Sequence, residues 1–456
     1  MEADWAVLPE IVLAKVFSYI STSDRVYMRN VCTSWQTASL RPEAWHSFTF
    51  SEEDFFMKAL GFDYFSSRVE QLSVDNVEGN VLRDVLISVI KTSGKHFKDV
   101  KVFYRSQSSN QIMNTLAEYC TNINNLKVQK LKSNVQVVRN FDSSCKQAVR
   151  TIIQRNNKLK TLDLGDIDGY SIFQQKNTLP IGAAHSACLT KLFLIQSLQD
   201  CNLGGLMYLV CLKELAIGPH LLSYSLLHHL AGRSLRDLHI VALAKHMEFY
   251  NENLQDWQWA EIKKQGPHLR VHCHFGVGHE WTEKGIILKK EMPVQTLIYS
   301  KWSLLVFPNL RGPICNYSET LVEFIDFSLS FKSYEVCSTL NYRISVNQSI
   351  FEIVYYCKHL RVLAVKEILL SGVILAMFMK NCHLDLLLME NQVEYGFALH
   401  SQDLYFNVDE VNHIVDSCDT IEHFKQEYAT ITGKEWKFYL KHELLDRLFK
   451  CHLKFI

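Results

Sequence analysis

The densest group of side chains able to hold a metal or move a proton is HLRVHCHFGVGHEW, residues 268–281. On an extended strand His272 and His274 share one face and Cys273 points to the other, because side chains alternate. Two histidines without a third ligand in register fall short of a zinc site. The run therefore reads as surface histidines, and no metal site is assigned. The 13 cysteines include no C-x-x-C pair, and there is no G-x-x-x-x-G-K-[ST], no HExxH and no nucleophile elbow. No catalytic residue and no cofactor are expected. An odd cysteine count in a long chain fits reduced thiols in a cytoplasmic or nuclear protein better than a disulfide framework.

The composition narrows the partners. Across 456 residues, 48 Lys and Arg balance 48 Asp and Glu. Zero net charge argues against nucleic acid or an anionic membrane as the dominant partner. The N-terminal MEADWAVLPE lacks the basic region of a signal peptide. The longest apolar run, ILLSGVILAMFM at 368–379, is shorter than the roughly 20 residues a membrane span needs, and reads as a buried helix.

A short pattern recurs from residue 69 onward: apolar, two variable, apolar, one variable, apolar. It appears as VEQLSV (69–74), FKDVKV (97–102), INNLKV (123–128), LKTLDL (159–164), LTKLFL (189–194), LKELAI (212–217) and LRDLHI (235–240). It continues as HLRVHC (268–273, with His in the first apolar slot), VQTLIY (294–299), VEFIDF (322–327), LRVLAV (360–365), LDLLLM (384–389) and a weak IEHFKQ (421–426). Its end alternates like a half-buried strand. Helical periodicity often precedes it, at 81–91, 110–120, 145–155, 221–232, 350–357 and 408–418. Helix, turn and strand repeated every 20–40 residues mark a solenoid. Cys120, Cys357, Cys418 and Cys382 fall at helix-to-strand turns, where a small apolar side chain packs beneath the next repeat.

The N-terminal segment carries surplus apolar surface. LPEIVLAKVFSYI (8–20) spreads Leu8, Val12, Leu13, Val16, Phe17 and Ile20 over about half a helical circumference, more than the roughly 100° needed to lie on a core. STSD (21–24) offers N-cap candidates, DRVYMRNVCTSWQTAS reads as a second helix, and LRPEAWHSF as a third with Pro42 in its first turn. So small a unit must dock on the rest of the chain or on another protein.

Leu8-Pro9-Glu10-Ile11, Val16-Phe17-Ser18-Tyr19-Ile20, Asp24, Val31-Cys32, Trp35 and Trp45 closely resemble the F-box in order and spacing. The repeats resemble long, helix-containing leucine-rich repeats, although the Asn that usually follows the strand is mostly missing and the spacing is irregular. Together the chain resembles F-box substrate receptors, nearest the F-box-only group that includes proteins 33 and 39. The resemblance implies an α/β fold: a small three-helix F-box, then an irregular leucine-rich-repeat solenoid with parallel strands on the concave side and helices on the convex side. A C-terminal helical cap closes it. The boundaries are 1–50 for the F-box, 51–68 for a connecting segment, 69–429 for the repeats and 430–456 for the capping helix.

The implied role is that of a non-catalytic substrate-recognition subunit of a Skp–cullin–F-box ubiquitin ligase. The F-box would dock on the Skp-family adaptor, and so indirectly on the cullin scaffold, through Leu8, Pro9, Ile11, Val12, Val16, Phe17 and Trp35. The alternative is a scaffold that binds a partner without ubiquitin transfer. A protein substrate, not nucleic acid or membrane, would lie on the concave face. The candidates are Thr161, Asp163, Lys191, Phe193, Glu214, Ala216, Asp237, His239, Arg270, His272 and His274, followed by Val362, Ala364 and Lys366. Longer interruptions at 165–188, 243–260 and 300–320 could add loops, and the second of these carries Trp257 and Trp259.

Overall fold

The computed structural model describes residues 8–50, 68–75, 77, 80–104, 108–130, 143–165, 185–195, 203–243, 254–276, 287–299, 316–326, 340–365, 369–387, 393–395 and 420–437. They fall in two compact units, Met1–Leu215 and Ala216–Ile456. Strand β7 below straddles the division.

The first unit opens with α1 (Glu10–Phe17), α2 (Thr22–Met28) and α3 (Thr33–Ser39). Ser21 caps α2 as expected, its Oγ accepting from the Asp24 N–H at 3.1 Å. The expected second helix is in fact two. Cys32 adopts extended backbone and restarts the chain at α3. The expected third helix is a correction as well. Pro42–Trp45 is one 3-10 turn, and Ser47–Phe50 is a strand, β1. In SFTF the buried Phe48 and Phe50 flank an exposed Thr49, the period-two pattern of a strand. The repeat sheet therefore begins before residue 50.

The elements then run β2 (Gln71–Asp75), α4 (Asn80–Ser93), β3 (Asp99–Tyr104), α5 (Ser108–Tyr119), β4 (Asn125–Lys130), α6 (Ser143–Arg155), β5 (Thr161–Asp163), β6 (Lys191–Leu194) and β7 (Glu214–Ile217). β1 to β6 pair in sequence order, all parallel. Leu72, Val100, Leu126, Leu162 and Leu192 point to one face and are buried with Leu86, Ile90, Met113, Leu116, Val149 and Ile152 of the helices.

Successive repeats come into close contact at the helix-to-strand turn. Cys120 is fully buried there, and a Cβ added at Gly94 would lie 3.0 Å from its Sγ, so this turn excludes even alanine without movement. One repeat later Asn156 takes the same place. Its Oδ1 accepts from Ile123 N–H at 2.6 Å, and its Nδ2 donates to Cys120 O at 3.1 Å and Ile152 O at 2.7 Å. The satisfied turn thus sits before the strand, not after it.

The second unit contains α7 (Tyr224–Ala231), β8 (Asp237–Ala242), α8 (Asp256–Gln265), β9 (Arg270–Phe275), β10 (Val294–Tyr299), β11 (Glu323–Asp326), α9 (Leu340–Tyr356), β12 (Val362–Ala364), β13 (Leu369–Leu370), α10 (Ser371–Lys380), β14 (Asp385–Leu387), β15 (Val393–Glu394) and α11 (Ile421–Thr432). β8, β9, β10, β11, β12 and β14 pair in that order, again parallel, and β13 pairs with β15. The apolar run at 368–379 is largely α10, buried from Ser371 through Phe378. Buried Cys357 repeats the role of Cys120, whereas Cys382 is exposed because Asn381 takes the turn position and donates to Leu360 O at 2.6 Å.

Several expectations fail in this unit. His268 is exposed, and Leu269 fills the apolar slot. VEFIDF and LDLLLM are each one residue out of register: Phe324 and Leu386 pair with the inward Leu297 and Leu363, which sends Ile325 and Leu387 to the opposite face. Trp257 and Trp259 lie on helix α8, not in a loop. IEHFKQ is helical, within α11: the Thr420 side chain caps it, Gly433 ends it at φ 70°, and Phe424 and Tyr428 are buried four residues apart. Trp436 packs on both at 4.9 and 4.8 Å. The expected helix at 408–418, Cys418, most of the capping helix and most of each long interruption lie outside the described residues, as does Lys366.

Candidate functional site

In the first unit α1 divides its apolar residues between two surfaces. Leu13, Ala14 and Phe17 are buried, and α1 packs on α3 and the 3-10 turn. Phe17 meets the ring of Trp35 at 5.3 Å. Outside, Ile11 is 54% and Val12 43% exposed, Pro9 is exposed, and Leu8, Val16 and Trp35 are half-buried. Phe17, expected on the docking surface, therefore supports Trp35 from beneath. The module also exposes Tyr19, Tyr27 and Val31, each by more than half, none of them among the expected docking residues. So much exposed apolar surface on so small a helical module makes it the candidate docking surface.

The module is held to the sheet by Arg25, 4% exposed. Its guanidinium donates to Ile20 O (2.8 Å), Ser18 O (3.1 Å), Ala44 O (2.9 Å) and Ser47 O (2.6 Å), and lies 5.9 Å from the Trp45 ring. One side chain thus ties the end of α1, the 3-10 turn and β1 together. Burial pulls its pKa down to about 10, and it stays a cation at neutral pH. Trp45 Nε1 adds a bond to Ser39 O at 2.6 Å.

The strand face opposite the apolar core carries the other candidates. In the first unit Thr161 and Asp163 lie beside Lys191 and Phe193. Asp163 is nearly buried, pairs with Lys127 at 3.2 Å and accepts from Gly165 N–H. Lys191 meets Glu214 at 2.5 Å. Phe193, Glu214 and Ala216 are buried, which removes them from any exposed face.

In the second unit Asp237 pairs with Arg270 and His239 with His272 across β8 and β9. Asp237 receives Arg270 at 2.7 Å and His272 Nε2 at 3.3 Å, while His272 Nδ1 meets Thr296 Oγ1 at 3.0 Å and Thr296 donates to Glu323 at 3.0 Å. A polar chain thus crosses four strands. Burial pushes the Asp237 carboxyl up, but hydrogen bonds from His272 and Arg270 outweigh this and hold it at about 2. His239 stacks on His272 at 4.6 Å and meets His274 across a 3.2 Å nitrogen–nitrogen contact, so one ring donates and the other accepts. Among the described residues no group of three metal-ligating side chains could hold an ion.

This face dries along the strands. Arg270 is exposed and Asp237, His272, Glu323, Val362 and Asp385 are half-buried, but Val241, His274, Ile298, Ile325, Ala364 and Leu387 are buried. His239 is also buried. The expectation that alternate residues all project to solvent therefore fails: the accessible groups gather at the N-terminal ends of the strands. Trp259 is buried, while Trp257 is 61% exposed against Tyr224.

Comparison with known proteins bears on the N-terminal module first. Residues 5–51 match the family model described as F-box-like. F-box/LRR-repeat protein 21 of Mus musculus is 22% identical over 395 residues, covering 83% of this chain and 80% of its own. The Ovis aries protein of that name gives the same identity and coverage. The chain carries an F-box-like domain followed by leucine-rich-repeat-like units. The solved complex of Rad7 and Elc1 in yeast aligns over 89% of this chain and 93% of that chain, at 11% identity and a TM-score of 0.38. An F-box implies binding to a Skp-family adaptor in general, and these similarities point to an F-box protein of the adaptor type. Among the described residues no helix is long and apolar enough to cross a membrane.

Proposed function

We propose that this chain is the substrate-recognition subunit of a Skp–cullin–F-box ubiquitin ligase, acting in the cytoplasm or nucleus. The observation that carries the reading is the exposed apolar edge of α1, Pro9, Ile11 and Val12, on a module tied to the first strand by Arg25. Aliphatic anchors on a helix are what a partner's groove takes up. The chain itself performs no chemistry in this reading. It holds a protein substrate near a charged ubiquitin-conjugating enzyme, and the gain is effective concentration. The repeats meet the substrate with groups at the N-terminal ends of the strands, among them Arg270, Asp237 and His272.

The test is affinity purification of the full chain with and without Leu8→Ala/Pro9→Ala after proteasome inhibition. Adaptor, cullin and a ubiquitylated partner should co-purify with the wild type, and the variant should keep the partner alone. Recovery of adaptor and partner without cullin or ubiquitylation would favour a scaffold and sink the ligase reading.

A further inference from the structure

The turns and strand starts of the first unit place a row of cations along one edge of its sheet. A backbone ladder defines the row: Lys98 N–H donates to Glu70 O, Asn124 to Lys98, Lys160 to Asn124, Thr190 to Lys160 and Lys213 to Thr190, at 2.6–2.8 Å. Adjacent strands therefore hold, in order, Glu70, Lys98, Asn124, Lys160, Thr190 and Lys213. Lysine alternates with a small polar residue, and Lys98, Lys160 and Lys213 are exposed. Lys95 and Lys158, at the preceding turns, add exposed charge to the same edge. The acid in the row is Glu70, which pairs with Lys98 at 2.6 Å, and Glu118 lies behind it on the last turn of α5. Acids on the strand face are engaged: Asp99 with Asn125, Asp163 with Lys127 and Glu214 with Lys191.

We infer that this edge binds an acidic, extended protein segment. Strands lie about 4.8 Å apart, so alternate lysines recur at roughly 9.6 Å. A chain in polyproline-II extension has three residues per turn and rises about 3.1 Å per residue, so every third side chain faces one way at about 9.3 Å. An acid at every third position therefore meets each lysine in turn. Nucleic acid fits less well. From Lys98 to Lys213 the row has no aromatic residue for base stacking and no arginine for bidentate phosphate contact, the ring at its start, His46, pairs with Glu70 at 3.5 Å, and the chain as a whole is neutral. The row shares no residue with the exposed edge of α1, and the inference does not depend on adaptor binding.

The test measures fluorescence anisotropy of a labelled peptide of four Glu-Pro-Pro repeats with the full-length protein at about 0.05 M salt, where screening is weak. Saturable binding is expected, weaker by roughly tenfold or more in Lys160→Glu/Lys213→Glu and unchanged in Lys91→Glu, on the exposed side of α4. A peptide of the same composition with its glutamates clustered should bind several-fold less tightly. Lys160→Gln/Lys213→Gln, with an unchanged melting temperature, separates lost charge from lost fold and should weaken binding in the same direction. No saturable binding, equal binding by the double variant, or a ten-residue oligouridylate binding as tightly as the peptide would each overturn the inference.

Discussion

Replacing Arg25 by Met removes the guanidinium but keeps most of the aliphatic stem. Four backbone carbonyls lose a donor: Ser18, Ile20, Ala44 and Ser47. The bond to Ala44 O is buried and the others are partly buried. An orphaned buried acceptor costs about 1–3 kcal/mol, and each partly hydrated bond to a charged donor contributes about 1 kcal/mol. Relief of the cation's own desolvation offsets part of this, which leaves about 3–4 kcal/mol of local stability. Hydrogen exchange read by mass spectrometry suits the question, since it reports opening of this segment without requiring the whole chain to unfold in one step. Peptides covering residues 18–50 should exchange two to three decades faster in Arg25→Met, because each decade is about 1.4 kcal/mol. Peptides over β4 should be unchanged. Arg25→Lys should recover less than half of the protection, because one ammonium cannot span from Ser18 O to Ser47 O. Acceleration below about tenfold in Arg25→Met would refute the assignment of Arg25 as the tie between module and sheet.

Asn156→Ala leaves Ile123 N–H and Cys120 O without their partner, and should cost about 2–3 kcal/mol of protection in β4 and α6, read by hydrogen exchange. Asp237 is held at about 2, below its unfolded value, so its contribution is complete above pH 4 and is lost as pH falls through 4 to 2. Asp237→Asn should therefore lower the melting temperature at pH 7 and flatten its fall across that window. Burial raises the Cys120 thiol to about 12, so iodoacetamide at pH 8 should modify exposed Cys382 quickly and Cys120 only on unfolding, as peptide mass spectrometry would show.

The sequence is explicit where a period repeats. Alternation in LKTLDL and LRDLHI marked strands that pair in parallel, and the breadth of the arc on 8–20 foretold two surfaces. Residue type does not say which side of a helix faces out, so Phe17 and Ile11 read alike although one is buried and the other exposed. Register fails where two neighbouring residues are both apolar: Phe324 and Ile325 each fit the pattern, and only pairing with β10 separates them. Arg25 was invisible because a charge in DRVYMRN looks solvated, and its partners are carbonyls up to 22 residues away. A usable signal for the turns was present. Cys120, Asn156, Cys357 and Asn381 each stand three residues before the first apolar position of a strand, at Ile123, Leu159, Leu360 and Leu384. The drying of the strand face depends on what covers it, which local sequence does not encode.

The central claim is that the exposed edge of α1 docks a Skp-family adaptor. Titration calorimetry of the full chain with purified adaptor tests it most directly, comparing wild type with Ile11→Ala/Val12→Ala. Ile11 is 54% and Val12 43% exposed, so the fold should lose less than about 0.5 kcal/mol per site, while truncating two anchors at the centre of an interface should weaken the dissociation constant about thirtyfold or more. That separation of binding from stability is the predicted result. Unchanged affinity in the double variant, or no binding by the wild type, would contradict the account.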